Sequence, residues 1–195
     1  GPKGRAAIRS RQMKVNPLLM RCSEELRGQA LQMSSVFDLI DIEEWLSLSG
    51  TLARLACQSA SPASLQGQVR VVLSAAMKAA NDLFPTLPQF ARLLGSLAGR
   101  QAVMEAGSRL QGALQSLLQA VSADPSPAFG LELISGAKMM ATAIAHLFAV
   151  CQLAKMEHLH DAGQGCLQLV ASPDMLVIPL LKVRSVSLGA AAARP

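Results

Sequence analysis

Tyrosine is absent from this chain, tryptophan occurs once, and aromatic residues together make up 3% of it. A core must then be assembled from Leu, Ala, Val and Met. Ala and Leu are strong helix formers, whereas sheet cores draw on aromatic and β-branched side chains. The shortage of aromatics therefore predicts an all-α fold. Charge is scarce as well: charged residues account for 16% of the chain, against ~25% in a typical domain. Hydrophobic residues make up 51% of the 195. Much of the chain is thus meant to be covered, and its length allows one domain with a sizeable core.

Acidic residues are missing from the first fifteen positions, where Lys3, Arg5, Arg9, Arg11 and Lys14 stand. The remaining 13 basic residues balance 13 acidic ones, so the net charge of +5 belongs to this stretch. A basic tail over residues 1–15 is expected to be a solvated arm that offers contact to an anionic surface. Nucleic acid is not the expected partner, because the body of the chain is formally neutral. No continuous apolar segment follows the basic residues, so no secretory signal is predicted. Gly1-Pro2 reads as a protease-cleavage remnant. The cysteines, Cys22, Cys57, Cys151 and Cys166, form no C-x-x-C pair. Free thiols in a reducing, cytoplasmic setting are expected.

Helix punctuation recurs along the chain. Asn16-Pro17, Ser61-Pro62 and Ser126-Pro127 each place a capping side chain before a proline, which suits a first helical turn. The apolar periodicity predicts helices over 17–34, 41–58 and 63–84, with Asp41 capping the second. The alternative for the first two is one long kinked helix whose apolar phase continues through Phe37 and Ile40. Residues 88–122 read as a fourth helical segment with a bend near Gly99-Arg100. Residues 127–161 read as a fifth helix, ended by Gly163 and Gly165. The segment from Met175 to Arg184 is short, β-branched and interrupted by Pro179, which predicts an extended edge rather than a helix. The expected layout is a helical bundle over 16–165 and an extended, low-complexity C-terminal segment over 166–195.

The fifth helix holds sixteen residues, 139–154, with no formal charge. Leu133, Ala137, Met140, Ile144, Leu147, Cys151 and Ala154 alternate four and three apart, the spacing of a packing seam. Apolar residues also occupy the adjoining face, which predicts a helix buried at the middle of a bundle. Membrane insertion is not expected, since spanning takes ~20 apolar residues and this run includes Thr142, His146 and Gln152. His146 is read as a hydrogen-bonded core residue.

Catalytic and ligand motifs are missing. No Walker loop, G-x-G-x-x-G, H-E-x-x-H or G-x-S-x-G occurs. Glu157 and His160 form an E-x-x-H pair beside His158 and Asp161, but a bundle metal site needs carboxylates from other helices and a second such pair. The cluster reads instead as a solvated helix end, where histidine favours the dipole. No cofactor, no metal and no catalytic residue are expected.

The expected protein is a non-catalytic interaction module, all-α, a single bundle of five to six helices. It is expected to come from a larger intracellular scaffold, adaptor or cytoskeletal protein and to dock a partner protein's helix or peptide in an inter-helix groove. Trp45, Lys182 and Arg184 are the candidate partner-binding residues. A helical carrier of an apolar ligand or lipid is the alternative.

Overall fold

The computed structural model describes residues 2–58, 61–124 and 126–170. Six helices follow one another: α1 (Pro2–Leu39), α2 (Ile42–Ala56), α3 (Pro62–Leu83), α4 (Thr86–Leu93), α5 (Leu97–Ser122) and α6 (Phe129–Val170). No strand occurs among the described residues. The chain is all-α, as its composition requires. It is not a single body, however. It divides into two compact units, Met33–Ala154 and the described residues of Gly1–Gln32 with Lys155–Pro195. Among the described residues the helices joined by close backbone approach number four rather than five or six: α2 packs on α3, α3 on α4 and α5, and α4 on α5.

Side-chain capping decides several of the boundaries. Asp41 accepts from the Glu44 amide at 3.2 Å and starts α2, separating it from α1 at Ile40. Ser61 accepts from the Ser64 amide, with Pro62 at the first helical position of α3. Ser96 accepts from the Gly99 amide at 3.2 Å and starts α5. The break between α4 and α5 therefore falls at Leu94–Ser96, ahead of the bend expected at Gly99-Arg100. Arg100 closes that corner by donating from Nε to the Leu94 carbonyl at 2.8 Å.

Three expected boundaries are corrected. Pro17 lies inside α1 rather than at its start. Proline's fixed φ is itself helical, so Asn16-Pro17 is compatible with a continuing helix at the loss of one hydrogen bond. The backbone of residues 2–16 is helical, where a tail was expected. Gly163 and Gly165 do not end α6, which continues to Val170. Glycine lowers helix stability by only ~1 kcal/mol per residue, less than packing supplies. The extended segment expected from Met175 to Arg184, with Lys182 and Arg184, lies outside the described residues.

The core of the Met33–Ala154 unit draws on every helix. Met33 and Val36 of α1, Trp45 and Leu52 of α2, Val69 and Leu73 of α3, Phe90 of α4, and Leu110 and Leu114 of α5 are buried together. From α6 come Leu133, Ala137, Met140, Ile144, Leu147, Cys151 and Ala154, the whole four-three seam. Phe37 sits between two rings, edge-on to Phe90 at 6.1 Å and to Phe148 at 5.8 Å between centroids. These T-shaped pairs supply local order beyond their buried area. Glycines set two helix spacings. A β-carbon at Gly107 would meet Leu87 at 2.7 Å, and one at Gly136 would overlap Leu117. Each glycine thus admits a leucine from the neighbouring helix.

Candidate functional site

The face of α6 opposite its seam is open. Met139 is 49% exposed and Leu153 59%. Ala145, His146, Ala149 and Gln152 are exposed as well. The charge-free run is therefore half-buried rather than central. His146 is a surface residue, not the core histidine that its apolar neighbours suggested. By length and composition alone α6 would suffice to cross a membrane, and 39% of its most apolar window is buried inside the protein.

Alongside this face runs a groove between α5 and α6. One stretch, of about 780 Å³, is lined by Arg109, Gly112, Ser116, Lys138, Thr142 and His146 among others. The next, of about 590 Å³, is lined by Ser116, Ala120, Ala123, Leu131, Glu132 and Gly136 among others. Ser116, Ser135 and Met139 belong to both, so the two form one continuous trough. The helices run antiparallel along it, because α5 is met in descending and α6 in ascending order. From Arg109 to Ala123 the wall is ~20 Å long at 1.5 Å per residue.

Local chemistry makes the trough less polar than its sequence. The Ser116 hydroxyl donates to the Gly112 carbonyl at 3.0 Å, and the Thr142 hydroxyl donates to the Lys138 carbonyl at 2.8 Å. Both hydroxyls are turned to their own helix backbone, which leaves methyl and methylene surface toward the groove. Gly112, Ala113, Gly136 and Ala143 line it with little side-chain bulk, and Met139 supplies a polarisable, adaptable side chain.

The ends differ in charge. Arg109, Lys138 and His146 line the stretch away from the 123–128 connection, while Glu132 lines the stretch near it. Arg109 is held by Glu105 at 3.0 Å, an exposed i,i+4 pair of small energetic weight. Lys138 is exposed beside it.

Trp45 is not a surface anchor. It is fully buried on α2, with Leu52 and Leu55 on the same face. Its indole Nε1 and the hydroxyl of Ser49, one turn on, are both buried and find no hydrogen-bond partner among the described residues. The tryptophan's size decides its place: it is the bulkiest apolar side chain in an aromatic-poor core.

The E-x-x-H cluster lies within α6, well before its end at Val170, so no helix-end dipole acts on it. His158 Nε2 meets Gln29 Oε1 at 2.9 Å. Among the described residues no three His, Cys, Asp or Glu side chains gather as a metal-sized group.

No family model matches the chain, and no curated protein or solved structure matches it.

Proposed function

We propose that the protein is a non-catalytic interaction module whose α5–α6 groove docks an amphipathic helix of a partner protein. The observation that carries this reading is the trough itself: about 780 Å³ in its larger stretch, floored by small residues and flanked by the half-exposed Met139. A helix lays apolar side chains at i, i+3 and i+7 into such a groove. The ~20 Å length accepts about four turns. Charge sets the direction and the chemistry of the occupant: acidic residues toward Arg109 and Lys138, a basic residue toward Glu132.

In this reading the helical bundle is a scaffold element of a larger cytoplasmic protein. The free thiols are in keeping with that setting. A carrier of an apolar ligand would instead hold its cargo within the bundle, and native mass spectrometry of the purified protein would reveal it.

Gly112 gives a clean test. A β-carbon there meets nothing within 4 Å, so Gly112→Leu fills the trough without straining the fold. Amphipathic helices selected from a peptide library against the protein should carry acid at one end. They should bind Gly112→Leu at least ten-fold more weakly, while its melting temperature stays level or rises. Equal binding by the folded variant would place docking elsewhere.

A further inference from the structure

The other compact unit brings the two ends of the described chain together in a regular seam. Gln29 of α1 meets His158 of α6 at 2.9 Å. One turn back along α1, Leu26 lies 4.0 Å from the position of a β-carbon at Gly163. One further turn back, the Cys22 thiol is hydrogen-bonded to the thiol of Cys166. Each step toward the start of α1 is matched by a step toward the end of α6. The cysteines thus face each other by the antiparallel register of the seam, not by a stray side-chain rotation.

Both thiols are free. Cys22 is half-buried, and Cys166 is buried. We propose that Cys22 and Cys166 are a redox pair that closes to a reversible disulfide, stapling α1 to α6 when the chain meets a small-molecule disulfide oxidant. A disulfide needs its two sulfurs at ~2.05 Å, and facing positions on neighbouring antiparallel helices are where that approach is available.

The roles of the two sulfurs follow from their surroundings. The hydrogen bond to Cys22, then burial, pushes the Cys166 thiol up to about 11. The hydrogen bond and burial both favour the protonated form of Cys166. Cys22, the more accessible sulfur, is the attacking thiolate. It attacks one sulfur of oxidised glutathione, whose S–S bond breaks and releases one glutathione thiolate. Cys166 then loses its proton to water, and its sulfur attacks Sγ of Cys22, expelling the second glutathione. Two protein thiols are oxidised by two electrons, and one disulfide is reduced to two thiols. Glutathione in its reduced form reverses both steps.

The remaining cysteines are separable. Cys57 is exposed and Cys151 is buried in the Met33–Ala154 unit. The full chain carrying Cys57→Ser is treated with oxidised glutathione, alkylated and digested. The expected product is one cross-linked peptide pair joining Cys22 to Cys166, with a melting temperature higher by about 5 °C that returns on reduction. In Cys166→Ser the reaction should stop at a glutathione adduct on Cys22. A stable adduct on Cys22 in the chain that retains Cys166, with Cys166 still open to alkylation after denaturation, would overturn the proposal. So would a cross-link that joins either cysteine to Cys151 instead.

Discussion

The Leu117 side chain of α5 occupies the space that a β-carbon on Gly136 of α6 would need. This single fit sets how closely the two helices approach beneath the groove. Gly136→Ala gains ~1 kcal/mol of helix propensity but overpacks the contact at a cost of about 1–3 kcal/mol. Urea unfolding should show net destabilisation. Gly112→Ala, whose β-carbon would meet nothing within 4 Å, should show the propensity gain alone. Opposite signs for two Gly→Ala changes in neighbouring helices are the expected result.

The buried face of α2 yields a second prediction. Ser49 carries a buried hydroxyl with no partner among the described residues. Ser49→Ala removes an uncompensated polar group and should raise stability by about 1 kcal/mol. Trp45→Ala leaves a large cavity and should cost about 3–5 kcal/mol. Denaturant midpoints of the two variants should therefore move in opposite directions.

The sequence showed why helices form but not how much of each is covered. The seam from Leu133 to Ala154 was legible because four-three spacing is a property of the chain itself. The caps at Asp41 and Ser61 were legible for the same reason: a short acceptor side chain placed three residues before an unpartnered amide. His146, Met139 and Trp45 were misplaced because burial depends on which neighbours arrive. Ala, Thr, His and Gln on the outer face of α6 lack charge, and a charge-free run reads as buried whether or not another helix covers it. The α5–α6 groove had no signal of its own, since it is made from glycines, alanines and serines of two separate helices. The hydroxyl bonds of Ser116 and Thr142 to their own helices, which spacing does not reveal, add to its apolar character.

Burial pushes the Cys151 thiol from 9.0 up to about 12. An unfolded thiol ionises near 9.0, so at higher pH the unfolded state has lost a proton that the folded state retains. Stability is fully present below that value and falls as pH rises toward 12, by about 1.4 kcal/mol per pH unit from this group. Cys151→Ala should flatten the alkaline part of a plot of unfolding free energy against pH. In the same range of conditions Cys57 should react rapidly with a thiol reagent, and Cys151 only on unfolding.

Gln66 of α3 donates from Nε2 to the carbonyls of Val121 and Ala123, both at 2.8 Å. It satisfies carbonyls at the end of α5 that have no helical partner. Gln66→Ala should cost about 1–2 kcal/mol and speed amide exchange in the last turn of α5, with little change in α2.

Docking in the α5–α6 groove is tested most directly through Met139, whose side chain lines both stretches of the trough. The methyl resonance of Met139 is followed while an amphipathic helical peptide with an acidic end is titrated in, with the buried Met33 as the internal reference. The expected result is a saturable shift of Met139 but not of Met33, lost in Gly112→Leu and weakened at least three-fold in Lys138→Glu. A peptide that binds while Met139 stays unmoved, or that shifts it equally in Gly112→Leu, would contradict the groove as the docking site.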